Sequence, residues 1–248
     1  MIELVDVCKA FGPQRVLNHL DLAVEKGETT VIIGRSGGGK SVLLRHLIGL
    51  MKPDCGQVLV GGQDLARMNS RQLKEIRKSF GMLFQDAALF DSMNVGDNVA
   101  FPLREHTRKR RAEIRDIVEE KLASVGLSGV SDKMPSELSG GMRKRVGLAR
   151  ALALDPHIIL FDEPTTGLDP LMADAIDTLI RETQVRTGAT CVVISHDLAG
   201  AFKIAHHIAM LYEGRIIAKG TPDEIRNTED PVVRQFVEGR ADGPIKVV

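Results

Sequence analysis

The chain carries no surplus of either charge: 33 Lys and Arg balance 33 Asp and Glu over 248 residues. A dedicated nucleic-acid binder draws affinity from neutralising phosphates with excess Lys and Arg, so this balance argues against a function on DNA or RNA. Long apolar runs are missing too. Thr190–Ile194 and Ile158–Phe161, among the longest, fall far short of the roughly 20 residues a membrane-spanning helix needs, so the chain is not expected to cross a membrane by itself. The opening Met1-Ile2-Glu3-Leu4-Val5-Asp6 is acidic and alternating, whereas a secretory leader is basic and then apolar, so a cytosolic protein is expected. Cysteine is scarce. Cys8, Cys55 and Cys191 are odd in number, widely spaced and without a CxxC pair. Neither a disulfide framework nor a zinc site is expected, and all three read as reduced, mostly buried apolar residues. No solenoid-length repeat and no low-complexity tract occurs, which excludes repeat arrays and fused linkers.

What is present fits a globular protein: 43% hydrophobic and 27% charged residues can bury a sizeable core. At about 150 residues per domain the length suggests roughly one and a half domains, meaning one large domain or one domain with an inserted lobe. Residues 2–7 and 16–24 alternate apolar with polar and are separated by Gly12-Pro13, which predicts two half-buried antiparallel strands. Thr29–Ile33 is a β-branched run ending in glycines, followed by helical spacing over Val42–Leu50. The strand-then-helix theme returns with strand Ile158–Phe161, amphipathic helix Leu171–Arg186 and strand Thr190–Ile194. Apolar strands alternating with helices predict a parallel sheet covered on both faces. Between them, residues 86–156 lack β-branched runs and show helical patterns at Ala112–Val125 and Gly141–Leu154, so this segment reads as a helical lobe inserted in an α/β core. Its basic stretch Arg104–Arg115 invites a polyanion site, but a short charged cluster beside an amphipathic helix reads better as a solvated face. Residues 230–248 read as an irregular tail with a weak helical pattern at Val232–Val237.

Gly34-Arg35-Ser36-Gly37-Gly38-Gly39-Lys40-Ser41 matches GxxxxGK[ST] and sits after a predicted strand and before a predicted helix, the context that gives the pattern meaning. Its glycines let successive backbone N–H groups converge on phosphate oxygens while the following helix points its positive end at them. Lys40 is expected to supply a point charge to the β- and γ-phosphates and Ser41 a hydroxyl to Mg²⁺. Ile158–Phe161 runs into Asp162 and Glu163, two carboxylates at the C-terminal end of a strand, where parallel α/β sheets hold ligands. Asp162 is expected to hold Mg²⁺, and Glu163 to polarise a water in line with the γ-phosphate. Leu138-Ser139-Gly140-Gly141-Met142 opens a helix carrying Arg143, Lys144 and Arg145. Ser139 is its N-cap candidate, and the glycines leave N–H groups exposed for a second anion site.

Taken with Gln85, Asp169 and His196, these motifs make the chain resemble the nucleotide-binding subunit of ATP-binding-cassette transporters over residues 1 to about 225. The resemblance implies a RecA-like P-loop NTPase core with an antiparallel β subdomain and a helical subdomain inserted at about 86–156. Residues 226–248 would form a C-terminal tail. It further implies a head-to-tail homodimer in which each ATP lies between one subunit's phosphate loop, residues 34–42 with Val42 at its end, and the other subunit's Ser139, Gly140 and Gly141. Gln85 would contact Mg²⁺ or the attacking water, Asp169 belongs to the D-loop, and His196 would bond the γ-phosphate. Phe11 occupies the place of an aromatic that stacks on adenine, with Val16 beside it; the competing reading of Phe11 is a plain core residue. His206 and His207 have no metal-ligand spacing and are assigned no role.

The signature here ends in Met142, where the general pattern has Gln. Residues 88–95 and 98–105 and the tail segments 233–236 and 242–245 are similar to the ATPase subunit of Mla-type phospholipid transporters, which work with MCE-domain proteins. This resemblance implies an integral-membrane permease, an MCE-domain lipid-binding protein and a small regulatory subunit as partners. It places the chain at the cytoplasmic face of an inner membrane, with its tail reaching across the ATPase dimer. Two alternatives stand beside it: a cassette ATPase for another substrate such as polar amino acids, and a non-transport cassette acting on nucleic acid or ribosomes, which the neutral charge disfavours.

Overall fold

The computed structural model describes residues 1–246. In chain order its strands are β1 (Ile2–Phe11), β2 (Gln14–Val24), β3 (Thr29–Ile33), β4 (Cys55–Val60), β5 (Gln63–Asp64), β6 (Phe80–Leu83), β7 (Ile158–Asp162), β8 (Thr190–Ile194), β9 (His207–Tyr212) and β10 (Arg215–Gly220). Its helices are α1 (Lys40–Leu47), α2 (Ser70–Arg77), α3 (Val95–His106), α4 (Arg111–Ser124), α5 (Gly140–Leu152), α6 (Pro170–Thr187), α7 (Leu198–Ile204), α8 (Pro222–Arg226) and α9 (Pro231–Val237). They form two compact units, one of residues 1–73 with 192 onward, the other of residues 74–191. The chain passes between the units within α2 and within β8.

In the first unit, β2, β1, β4 and β5 lie side by side in an antiparallel sheet. Gly12, with φ 58°, and Pro13 close the first hairpin, pairing Phe11 with Gln14. Apolar alternation buries Ile2, Leu4 and Val7 of β1 and Leu17, Leu20, Leu22 and Val24 of β2. The three-residue steps from Leu4 to Val7 and from Leu17 to Leu20 coincide with φ values of 54° at Asp6 and 48° at His19, where an extra residue interrupts the pleat. Cys8 and Cys55 face each other across β1 and β4 and are joined by a disulfide. This corrects the expectation of three reduced cysteines: a pairing across 47 residues is set by strand register, which spacing does not reveal. Cys191 is buried, as expected, and its thiol donates to the Ala189 carbonyl at 3.8 Å.

The same unit holds a β10, β9, β3 ribbon in which β3 and β9 run parallel and β10 antiparallel. Every residue of β3 is buried, which explains its continuous β-branched run. The described part of the tail runs through residue 246. Asp230 caps α9 through the N–H groups of Val232 and Val233, and Ile245 is buried. Residues 247 and 248 of the predicted tail lie outside the described residues.

In the second unit β6 and β7 pair in parallel, Phe80 with Ile158 through Leu83 with Phe161. Between them, among the described residues, come α3, α4 and α5 and no strand. Each helix starts on a side chain or motif suited to the task. Asn94 accepts from the Asp97 N–H at 2.7 Å, Glu113 accepts from the Arg110 N–H at 2.7 Å, and Ser139 accepts from the Met142 N–H at 3.3 Å. Helix α6 is capped by Asp169, has Pro170 at its first position, and ends at Gly188 with φ 63°. The basic stretch is largely solvated: Arg104 pairs with Asp97 at 2.6 Å and Arg110 with Glu113 at 3.2 Å. Lys109, Arg111 and Arg115 line a cleft of about 810 Å³ together with Asp97, Glu119 and Asp132, so its lining is of mixed sign. No helix among the described residues is long and apolar enough to cross a membrane.

Candidate functional site: phosphate loop and carboxylate loop

The first unit carries the phosphate loop between β3 and α1. Gly34 has φ 150°, and a Cβ there would be driven into the carbonyl oxygen of Leu211 on β9, so only glycine lets the chain leave the sheet at this point. Gly39 has φ 96° and is the N-cap of α1, with no side chain capping the helix, which leaves its first N–H groups to the loop side. Lys40 is 5% exposed, and its ammonium donates to the carbonyls of Gly34 at 2.7 Å and Arg35 at 2.8 Å. The charge is thus held over the loop by the loop's own backbone, within a cradle whose close approaches exclude side chains. Ser41 is exposed at the helix start and Val42 half-buried behind it. Val16 lies against Gly39: a Cβ on that glycine would come within 3.0 Å of the valine Cγ1. Phe11 is 46% exposed at the end of the β1–β2 hairpin, so the core reading fails, and the Lys9 ammonium lies 5.8 Å from its ring centroid. His196 is exposed, separated from the end of β8 by buried Ser195, and the next residue, Asp197, caps α7 by accepting from the Gly200 N–H at 3.2 Å.

The second unit carries the carboxylates and the signature. Ile159, Leu160 and Phe161 are fully buried, so β7 is anchored up to the point where Asp162 and Glu163 emerge half-buried. Glu163 has φ 47°, an uncommon conformation for a non-glycine residue, and its Oε2 accepts a hydrogen bond from the Thr166 hydroxyl at 3.1 Å. Ser139 is exposed, Gly140 half-buried and Gly141 buried at the start of α5, where a Cβ on Gly141 would collide with the end of the Met172 side chain. The Asp169 carboxylate accepts from the N–H groups of Leu171 and Met172, both at 3.0 Å, so this residue also serves as a helix cap.

Two basic side chains of α5 matter in ways the sequence did not disclose. Lys144 is buried and donates to the Gln85 carbonyl oxygen. Burial pulls the Lys144 ammonium below its ordinary pKa, against the opposing pull of Asp86, Glu163 and Asp162. Arg150 donates to Ala88 at 2.7 Å and Ala87 at 2.6 Å, two residues with φ of 47° and 60°. The loop after Gln85 is therefore fastened to the signature helix at three consecutive-region carbonyls. Runs of basic residues on a helix signalled these contacts only as charge, not as backbone clamps.

The sequence profile of the ABC transporter family matches residues 17–166. The chain belongs to that family. It is 48% identical over 244 residues to the probable ribonucleotide transport ATP-binding protein mkl of Mycobacterium tuberculosis, covering 98% of this chain and 68% of that one. It is 44% identical over 245 residues to the intermembrane phospholipid transport system ATP-binding protein MlaF of Escherichia coli K12, covering 99% of this chain and 91% of that one. Among solved structures, the ATP-binding cassette MJ0796, a dimer in a post-hydrolysis state bound to ADP and Pi, is 31% identical with a TM-score of 0.82, covering 90% of this chain and 99% of that chain. The ABC ATPase fold and an ATP-hydrolysing activity are thereby those of the cassette described here.

Proposed function

We propose that this cassette powers phospholipid transport between membranes, as one subunit of a homodimer seated on an integral-membrane permease at the cytoplasmic face. The observation that carries this reading is reciprocal length. The match to MlaF takes in 99% of this chain and 91% of that protein, including the segments after Gln85 and the tail. The mkl protein is somewhat more alike in residues, but this chain spans only 68% of it. Ribonucleotide transport, which that relative's name carries, is the second reading. Residues that handle ATP serve both readings equally, so partner-facing surfaces must decide. Phe84 and Phe90 are exposed large aromatics, and with Phe101, Pro102 and Arg150 they line a cleft of about 440 Å³. An apolar cleft rimmed by a cation suits an amphipathic segment of a permease.

In the proposed mechanism the loop N–H groups of residues 34–42 and Lys40 bind the ATP phosphates, and Phe11 and Val16 receive the adenine. Glu163, oriented by Thr166, takes a proton from the attacking water, and His196 bonds the γ-phosphate. Ser41, Asp162 and Gln85 offer hard oxygen donors of the kind Mg²⁺ prefers, and the ion would neutralise phosphate charge. Ser139, Gly140 and Gly141 would act on the partner subunit's nucleotide, with Asp169 at the same interface, so loss of the γ-phosphate removes a bridge between subunits. The tail would support the dimer; deleting residues 230–248 without effect on dimerisation and ATPase would refute that part.

The deciding experiment is to isolate the native complex from its membrane and identify the permease and the bound small molecules. Co-purifying phospholipid, an MCE-domain protein and a small regulatory subunit support the reading. A lipid-free permease whose ATPase responds to ribonucleotides overturns it.

A further inference from the structure

Three residues that the nucleotide chemistry leaves unused converge on the antiparallel sheet. Cys8 of β1 is the register partner of Cys55 of β4, and His19 of β2 brings a ring nitrogen to them, the three ligand atoms lying within 4.8 Å of one another. The backbone is bent where they meet. Asp6 and His19 both adopt left-handed φ, and β1 slips register between Val5 and Cys8 against β4 and between Leu4 and Val7 against β2. Gly56, with φ 80°, is required beside them, because a Cβ there would run into the Asp6 carbonyl. Two non-glycine residues in this region cost on the order of 1–3 kcal/mol each, a strain that tends to persist where geometry serves a site. Bulges of this kind re-aim side chains.

His19 is also held as a metal-bound imidazole is held. Its Nδ1 lies 2.6 Å from Asp6 Oδ1, a contact that fixes the orientation of the ring. The Asp6 N–H is in turn held by Asp21 Oδ1 at 2.9 Å. The two sulfurs sit 3.3 and 3.9 Å from the Asp6 carbonyl oxygen, which can accept from them as thiols.

We propose that, when the Cys8–Cys55 disulfide is reduced, Cys8, Cys55 and His19 bind one zinc ion, with Asp6 positioning His19. Two sulfurs and an imidazole are soft and borderline donors that suit zinc and not magnesium, and a water completes the fourth position. Reduction by a phosphine consumes one water, yields the phosphine oxide, and leaves two thiols. Zinc then displaces the two thiol protons to form two zinc–thiolate bonds. Disulfide and metal exclude each other, so occupancy reports the redox state of the pair.

The test uses the full chain without nucleotide, reduced by a phosphine under anaerobic conditions and titrated with Co²⁺ as the spectroscopic probe, then with Zn²⁺. One Co²⁺ per chain with a thiolate-to-cobalt charge-transfer band is expected, bleached by Zn²⁺ and absent from the disulfide form. His19→Gln and Cys8→Ser should abolish or severely weaken the band, Asp6→Asn should cost about 10–100-fold in affinity, and Cys191→Ser should change nothing. ATP binding by each variant shows that it is folded, and His19 is exposed enough for its replacement to be tolerated. Absence of the band in the reduced wild-type chain overturns the proposal. So does a band of unchanged affinity in His19→Gln and Cys8→Ser variants that still bind ATP.

Discussion

Gln235 holds Ile245 by both ends of its amide: its Oε1 accepts the Ile245 N–H at 2.7 Å and its Nε2 donates to the Ile245 carbonyl at 3.0 Å. The same Nε2 reaches the carbonyls of Arg240 and Ala241 at 3.3 Å, so one side chain, 5% exposed, replaces the ladder that the tail lacks. Gln235→Ala leaves buried backbone groups unpaired, each costing about 1–3 kcal/mol before relaxation. The expected outcome is a tail that proteases cut within residues 238–246 at rates well above wild type. Arg35 of the phosphate loop donates to the Lys246 carbonyl at 3.2 Å, so the same variant should also make residue 35 more accessible to guanidine-directed reagents. Wild-type protection at both places would show that the amide clasp is dispensable.

The parts legible in sequence were those where local chemistry and tertiary need coincide. The phosphate loop was readable because its glycines answer a backbone demand visible in the motif, as the Gly34 approach to Leu211 shows. The α4, α5 and α6 helices appeared within one or two residues of their predicted bounds, since each combines apolar periodicity with a cap. Helix α3 escaped notice because Pro102 lies inside it, where proline ordinarily argues against a helix; its first turn is tied down by buried Asn98, whose side chain donates to Phe90, Met93 and Asn94 and accepts from the Phe90 N–H. Strand β4 was missed because Cys55-Gly56-Gln57 gives no alternation, and with it the Cys8–Cys55 pairing. Lys144 and Arg150 were visible as residues but not as clamps, because their acceptors are carbonyls of a distant loop.

His46 connects the phosphate-loop helix to pH. It is 0% exposed within α1, with Nδ1 against the Val42 carbonyl at 2.7 Å, and burial lowers its pKa below the ordinary 6.5. The unfolded chain therefore takes up a proton at higher pH than the folded one. His46 contributes stability fully above the unfolded value, and that contribution is lost as pH falls through about 6.5 toward the folded value. Urea unfolding midpoints should drop with acidification in this window, and His46→Gln should flatten the drop. An equal drop in the variant would assign the acid sensitivity to other groups.

Arg150 offers a separation of charge from geometry. Its guanidinium reaches two carbonyls at once and lies 5.9 Å from the Phe90 ring, a planar fork that an ammonium does not reproduce. Arg150→Lys keeps the charge but loses one backbone bond, and a stability loss of about 1–2 kcal/mol is expected. Because Ala87 and Ala88 are held in left-handed φ, the loop after Gln85 should relax, exchanging its amide hydrogens faster. ATP affinity should be unchanged, while ATPase stimulation by the permease falls. A parallel loss of ATP affinity would mean that Arg150 supports the nucleotide instead of the partner surface.

Glu163→Gln tests the proposed base without disturbing the fold around it. Glutamine has the same shape, and its amide oxygen can accept the Thr166 hydroxyl as the carboxylate does at 3.1 Å, so the left-handed backbone at residue 163 keeps its local tie. What disappears is the ability to take a proton. General-base removal typically costs about 10²–10⁴ in rate, so turnover should fall by that factor while ATP affinity persists. If subunit closure depends on the γ-phosphate, the variant should accumulate as an ATP-bound dimer by size-exclusion chromatography. Thr166→Val separates orientation from protonation: it should lower the rate by less, and without trapping the dimer. Wild-type turnover in Glu163→Gln would remove Glu163 as the proton acceptor and leave the carboxylate with a structural role.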